Sequence, residues 1–586
     1  MKHLRRSILW LLALTMVLAS LGCGGTQSSQ SESERFAAYL DELYLEELSG
    51  TDLLSLQFTL SHPEELGITI SGAPLGELSR EDYEAAAKES AEEVKKLKSF
   101  DRSQLTPTEQ VDYDALLWQL EINAENGEYA LLMECCSPMQ GVQANLPNML
   151  VEFPIRDEGD IKDYLLVLED VDDYFKQVIA FEKEKSAAGY FMSEGNAQGV
   201  IDSCKEFTRN KEDHFMILAF NDRIDGFDWL TAEQKAAYKE SNRQSVLNTV
   251  IPAYEELMEC FTELKSTGKN PGGLCGFEGG KEYYQNIVKE KTGSEKTPEE
   301  IITLLEDEMD AIMERMLLLA LGHSSEVLNM YDAAPDVTDP EEILVALEER
   351  MKKNYPEIGK VQYRLNYVHP TMEDSTNPAF YFVPPLDAAE ENNIYLNRKY
   401  TEDDPRYLFS TLAHEGYPGH LYQMNYFFAS DAHPIRKGIL NQLGYVEGWA
   451  TYVENDSYYL MGLDDVTAEL LQLDNRFSWA LQCRLDIGIN YEGWDVDDVE
   501  EALAAYLGDN AEEMAQTMMD VCSADPGIYL SYYVGYLEFM ELKEYAMEQL
   551  GDGFDLVTFH KAILDVGAAP FKNVREAVKQ YVAAAK

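Results

Sequence analysis

Apolar residues recur at helical spacing through much of the chain. After Thr297 they return every three or four positions as far as Leu317, which describes one buried face of a long helix. The same period appears over 83–97 and 499–507. The pattern predicts a mainly α-helical fold.

Three predicted helix starts share one chemistry. At Thr106, Thr297 and Asp339 a capping residue precedes a proline, and an acidic residue follows at the third helical position. The capping oxygen and the acid each satisfy backbone N–H groups that the first turn leaves free. We therefore expect helices to begin at these three places.

Strand-like stretches are short. The clearest are 381–383 and 393–397, separated by two prolines and a polar turn. A glycine-rich segment at 268–280 is the best candidate boundary, which predicts an N-terminal helical lobe over 35–270 and a catalytic lobe over 271–586. The absence of tandem repeats argues against solenoids and propellers.

Composition and charge narrow the function. With 45% hydrophobic and 26% charged residues, 586 residues can bury a large core, which argues against wholesale disorder. The formal net charge of -59 repels nucleic acid and anionic lipid, so we expect no nucleic-acid partner.

The start of the chain predicts export. Basic residues precede the apolar run 8–19, which is too short to span a bilayer, and the run ends in small residues and Cys23. We predict a lipoprotein signal peptide over 1–23, an acylated Cys23, and a flexible tether over 24–34. The protein would face the outside of a bacterial cell membrane and touch it only through its lipid. A plain secretory signal is the alternative.

The seven cysteines after Cys23 are scattered and odd in number, which argues against a dense disulfide framework. Adjacent Cys135 and Cys136 cannot readily bridge each other. None of the seven has the paired close spacing of a cysteine zinc site.

Two histidines and an acid fall within seven residues, in a chain with only nine histidines: His414, Glu415 and His420. In the common zinc-peptidase pattern the histidines are four apart, so that both rings leave one face of a helix. Six positions rotate the second ring by about 240°, at about 100° per residue. The helix must therefore be broken, and Pro418 with Gly419 predicts where.

A metal site of this type needs a third ligand and a position for water. The segment 445–454 resembles the N-E-G-F-A-x-Y-V-E segment of zinc aminopeptidases, in which the first glutamate binds the metal; Glu447 matches it. Glu454, two turns later, is a candidate acceptor for a histidine N–H. Two neutral imidazoles and one carboxylate leave zinc positively charged, which lowers the pKa of bound water to about 7 and lets Glu415 act as general base.

Taken together, the motifs resemble those of the bacterial family called domain of unknown function 885, whose members look like zinc peptidases of the gluzincin type. The resemblance is carried by 384–387, 414–420, 484–490, 526–535 and the Glu447 segment, in this order and spacing, with Phe559 and His560 after them. It implies a zincin-like metallopeptidase with two largely helical lobes around a cleft, a small β element beside the active site, one Zn²⁺ ion, and a peptide substrate.

The sequence departs from the family pattern at two positions. Asn490 stands where the family usually has histidine, and Ile528 stands where glutamine commonly follows Pro-Gly. The expected metal ligands are unaffected, but any substrate role of these two positions is in question.

The resemblance adds further candidates. Tyr532 matches a family tyrosine that could donate a hydrogen bond to the oxyanion, although Tyr529, Tyr533 and Tyr536 lie nearby. Three other residues are candidates for the metal shell or for substrate binding, and each also suits a structural role, as an ion pair or a hydrogen-bonded histidine: Arg484, Asp486 and His560.

The leading hypothesis is a secreted, membrane-anchored zinc peptidase acting on peptides, short ones if the lobes enclose a deep cleft. The alternatives are a lipoprotein that captures solutes or peptides without cleaving them, and another zinc amide hydrolase acting on cell-wall peptides. The His2Glu ligand set suits zinc, although cobalt or manganese could occupy it. The sequence leaves the natural substrate, endo- or exopeptidase action and the oligomeric state open.

Overall fold

The structure is a computed structural model that describes residues 30–69, 72–370, 373, 377–401, 404–440 and 442–586. It is mainly helical with one small sheet, as predicted. The helices are α1 Glu32–Gly50, α2 Leu53–Thr59, α3 Arg80–Leu97, α4 Pro107–Asn126, α5 Val142–Glu152, α6 Glu158–Ala188, α7 Glu194–Phe207, α8 Phe215–Gly226, α9 Ala232–Ser245, α10 Ile251–Leu264, α11 Gly280–Thr292, α12 Pro298–Gly322, α13 Ser324–Asn329, α14 Pro340–Met351, α15 Arg398–Thr401, α16 Pro405–Glu415, α17 His420–Phe428, α18 Pro434–Gly438, α19 Leu443–Ser457, α20 Asp465–Ile487, α21 Val496–Leu507, α22 Ala511–Ala524, α23 Leu530–Leu550, α24 Leu556–Leu564 and α25 Phe571–Ala585.

The three predicted helix starts are confirmed. Thr106 and Thr297 each accept a hydrogen bond from the third residue of their helix, whose glutamate bonds back to the cap. Asp339 accepts from the backbone N–H groups of Glu341 and Glu342. Each cap satisfies donors that the helix itself cannot.

The sheet has three strands, β1 Tyr363–Tyr367, β2 Ala379–Phe382 and β3 Asn392–Leu396, in the order β1-β3-β2. β2 and β3, the two predicted strands, pair antiparallel, with Tyr381 opposite Ile394. β1 pairs parallel with β3 and was not predicted. β2 is therefore an edge strand, and it lies immediately beside α16 through a hydrogen bond described below.

The apolar interior is divided among several cores. The largest is built almost wholly from residues after Leu274 and surrounds α16, α19 and α23. The second is built almost wholly from residues 53–261, around α6 and α10. The lobe boundary at 270/271 itself stays a prediction.

The N-terminal predictions fall largely outside the described residues, among them the signal peptide over 1–23 and acylation of Cys23. α1 begins at Glu32, inside the span 24–34 predicted as a tether. Its start is fixed by Ser31 and Glu34, whose side chains each bond the other's backbone N–H. Within the described residues, no helix is long and apolar enough to cross a membrane.

Candidate metal centre

The predicted break in the histidine helix is confirmed. α16 ends at Glu415, Gly416 leaves the helical region with φ −107° and ψ −105°, and α17 begins at His420 after a cis Tyr417–Pro418 peptide bond. The corner brings the rings of His414 and His420 to 4.8 Å between centroids. A Cβ atom on Gly419 would lie 1.7 Å from the carbonyl oxygen of His414, so only glycine fits there.

Three ligand atoms converge inside this corner. The Nε2 atoms of His414 and His420 each lie 3.5 Å from Oε2 of Glu447, and one ligand atom from each residue falls within 4.8 Å of the others. Ligands bound about 2.0–2.2 Å from a tetrahedral ion lie about 3.3–3.6 Å apart, so this set fits a zinc-sized ion. Both histidines are 9% exposed, so they are largely buried while the site still borders the cavity described below.

Glu454 orients the first histidine. Nδ1 of His414 donates to Oε2 of Glu454 over 3.0 Å, which leaves Nε2 free to face the group. Asn475 donates to the other oxygen of Glu454 over 3.3 Å. Glu447 and Glu454 are both on α19, as predicted; Asn475, on α20, had no sequence signal that marked it.

The carboxylate of Glu415 is held by the edge of the sheet. The backbone N–H of Tyr381 in β2 donates to Oε2 of Glu415 over 2.7 Å. One oxygen is thereby fixed, and no protein hydrogen bond is described for the other. The sequence placed a strand just before the motif but gave no sign that its backbone would bind Glu415.

The electrostatics of the group favour a positive charge within it. Burial opposes protonation of His414, but hydrogen bonds to Glu447 and Glu454 raise its pKa well above the ordinary value. Burial would raise the pKa of Glu447, but the charges and hydrogen bonds of His420 and His414 lower it far below the ordinary range. Carboxylates that surround imidazoles in this way can be neutralised by a proton or by a metal ion.

Tyr532 is the tyrosine beside this group. Its ring lies 6.2 Å from that of His414 and stacks on Trp479 at 5.2 Å. Its pKa is raised well above the ordinary value, first by the charge of Glu447 and then by burial, so the phenol keeps its proton. Tyr533, by contrast, donates its hydroxyl to Glu308 over 2.9 Å.

Two glycines let the helices that carry Glu447 and Tyr532 approach closely. A Cβ atom on Gly535 of α23 would lie 2.1 Å from the carbonyl oxygen of Gly444 in α19. One on Gly448 would lie 2.5 Å from the carbonyl carbon of Gly535. The backbones therefore touch at this crossing.

The other family-matched candidates contact residues of the surrounding helices and loops rather than the predicted metal ligands. Arg484 pairs with Glu306 and Glu492. Both oxygens of Asp486 accept from the N–H of Gly527. His560, fully buried, bonds the hydroxyl of Tyr452 and the carbonyl of Asn354, and Asn490 accepts from the N–H of Leu274 over 3.0 Å. Their described hydrogen bonds thus go to these helices and loops, and none goes to His414, His420 or Glu447.

A cavity of about 590 Å³ opens beside Glu447 and Tyr532. Its walls come from both halves of the chain, including Ser137 and Asn196 from the first half and Ile528 from the second. One of the two departures from the family pattern thus faces this cavity. The cavity is large enough for a short peptide segment.

The comparison with known families agrees with the resemblance noted in the sequence. The model of the family described as bacterial protein of unknown function (DUF885) matches residues 63–578. The chain belongs to the DUF885 family. Among curated proteins, none matches this DUF885 chain significantly.

Two solved structures share the fold of this DUF885 protein. A candidate lipoprotein from Colwellia psychrerythraea is 21% identical, with a TM-score of 0.82 over 94% of this chain and 100% of that one. A candidate lipoprotein of unknown function from Shewanella oneidensis is 18% identical, with a TM-score of 0.61 over 94% of this chain and 99% of that one. At these identities the likeness concerns the fold alone.

Proposed function

We propose that this DUF885 protein is a metal-dependent peptidase of zincin-like architecture, related to the gluzincins, with zinc as its metal. The observation that carries the proposal is the convergence of three ligand atoms, from buried His414 and His420 and partly buried Glu447, with the carboxylate of Glu415 next in sequence to a ligand. A purely structural metal site does not need such an acid.

A zinc ion held by these residues would supply a Lewis acid that polarises a carbonyl and lowers the pKa of water. The protein's own groups do the rest. Glu415, fixed through one oxygen by the N–H of Tyr381, can take a proton on the other and return it to the leaving amine. Tyr532, which keeps its proton, can donate a hydrogen bond to the oxygen on which negative charge develops.

The cavity supports peptides as substrates. It borders Glu447 and Tyr532, and its lining mixes apolar surface with amide and hydroxyl groups, such as those of Asn196 and Ser531. Such groups can bond the backbone of a peptide in an extended conformation. We further propose that Cys23 carries a lipid that anchors the protein on the outside of the cell membrane, since both structural relatives are described as candidate lipoproteins.

The test combines metal analysis with peptide hydrolysis. We expect His414→Ala with His420→Ala to lose one metal equivalent relative to wild type. We expect Glu415→Gln to keep its metal but to hydrolyse a mixed peptide library about 10²–10⁴-fold more slowly, because proton transfer is lost. Glu501→Gln, an exposed acid on α21, is the matched control and should behave as wild type.

Each alternative predicts a different result. Equal hydrolysis by wild type and Glu415→Gln would contradict the proposal. Peptide binding without cleavage by either form would favour a capture lipoprotein. Cleavage restricted to cell-wall peptides would favour a more specialised zinc amide hydrolase. Substitution of cobalt or manganese for zinc, followed by the same assay, identifies the active metal.

A further inference from the structure

A second group of metal-ligating atoms lies in the N-terminal half of the chain. The sulfurs of Cys135 and Cys136 and a carboxylate oxygen of Glu182 fall within 4.8 Å of one another; Cys136 and Glu182 are buried and Cys135 is partly buried. Glu182 is on α6, and the two cysteines lie between α4 and α5. Because Glu182 is 47 residues from Cys135, sequence spacing could not reveal the group.

Among the described residues no cation lies in salt-bridge contact with Glu182, although Lys185 acts on its charge from one turn away. Its side chain is 0% exposed; one oxygen accepts from the thiol of Cys135 over 3.1 Å and the other has no described partner. Lys185, one turn later, instead places its ammonium 2.6 Å from Glu134 and 3.0 Å from the carbonyl of Met133. The buried carboxylate of Glu182 therefore has one thiol as its described hydrogen-bond donor and feels the charge of Lys185 without direct contact, so a cation bound to its free oxygen would stabilise it further.

We propose that Cys135, Cys136 and Glu182 bind a thiophilic metal ion, with zinc as the physiological one. On binding, each thiol releases its proton to solvent, and the two thiolates and the carboxylate coordinate the ion. Two sulfurs about 2.3 Å from one tetrahedral ion lie about 3.8 Å apart, which is compatible with sulfurs that lie within 4.8 Å of each other.

The location gives this site a structural task. Cys136 lines the same cavity as Glu447 and Tyr532. An ion that ties Cys135 and Cys136 to α6 would fix this wall of the cavity. This second site shares no residue with the group of His414, His420 and Glu447. Its test is therefore independent of the proposed peptidase activity.

Cadmium titration of the reduced, metal-free protein tests the site, because thiolate–cadmium bonds give a charge-transfer absorption band that histidine and carboxylate ligands do not. We expect two equivalents to bind, one of them producing the band. His414→Ala with His420→Ala should lose one equivalent and keep the band. Cys135→Ser with Cys136→Ser should lose the other equivalent together with the band.

Two further variants keep the test decisive if the double cysteine variant does not fold. Glu182→Gln should weaken the cadmium binding that gives the band, whereas Cys260→Ser, a buried cysteine of the same half, should leave the band intact. A band absent from wild type, or one that persists unchanged in Glu182→Gln and in the double cysteine variant, would overturn the proposal. So would a disulfide between Cys135 and Cys136 in protein isolated without reductant, detected by mass spectrometry.

Discussion

At the scale of single residues, the candidate metal centre would depend on side chains outside the proposed ligand set. Glu454 acts through His414: by accepting from Nδ1 it fixes which ring nitrogen faces Glu447. Carboxylates in this position typically affect metal affinity nearly as strongly as some ligands do.

We expect Glu454→Ala to weaken metal binding by about 10–100-fold, because the ring of His414 loses its orientation. Competition with a chelator of known affinity measures the change. Glu501→Ala, on the exposed face of α21, is the control and should bind as wild type does. An unchanged affinity in Glu454→Ala would show that the hydrogen bond has no role in the site.

The sequence predicted His414 and His420 from residue type and local spacing. Glu447 was predicted from its resemblance to a zinc aminopeptidase segment, and Glu454 from its position two turns later on the same helix. The sequence could not predict the partners that come from distant segments. The N–H of Tyr381 is a backbone group, present at every non-proline position, so nothing distinguishes it before the chain is folded. Tyr532 was chosen among four neighbouring tyrosines through the family resemblance, and the structure places its ring 6.2 Å from that of His414.

At the scale of elements, the corner between α16 and α17 determines whether the histidines can meet. Helical periodicity and the positions of proline and glycine predicted the break because they act within a few residues. The third strand, β1, was not predicted, since its identity depends on pairing with β3, about 30 residues away along the chain.

We expect Gly419→Ala to reduce the free energy of unfolding by about 1–3 kcal/mol and to abolish metal binding at the histidine group. The added Cβ atom would collide with the carbonyl of His414 and force the corner apart. Thermal unfolding and metal analysis measure both effects. Gly553→Ala has no atom within 4 Å of its added Cβ and should change neither; a fully metallated Gly419→Ala would contradict the steric argument.

At the scale of the whole molecule, an acidic chain also buries carboxyl groups, and these couple folding to pH. Burial raises the pKa of Asp486 from 3.8 to about 7, against hydrogen bonds from Tyr284 and Gly527. Burial raises the pKa of Asp525, two residues before Gly527, to about 6. Between about pH 4 and 7 these two carboxyl groups therefore bind more protons in the folded state than in the unfolded chain, so their contribution to stability falls as pH rises.

We expect Asp486→Asn to make the free energy of unfolding depend less on pH between about 4 and 7, because the amide cannot ionise. Urea unfolding at several pH values between 4 and 7 gives the slope for each protein. The exposed Asp552→Asn is the control and should keep the slope of wild type. A slope in Asp486→Asn as steep as in wild type would assign the pH dependence to other groups.

The hydrogen bond from β2 to Glu415 has a consequence for how this site tolerates mutation. The donor belongs to the main chain, so every amino acid except proline supplies it at position 381. The side chain of Tyr381 can therefore change over evolutionary time while the orientation of the acid persists. Substitutions in the strand would thus leave the orientation of Glu415 unchanged, unless they introduce a proline at position 381 or remove the strand itself.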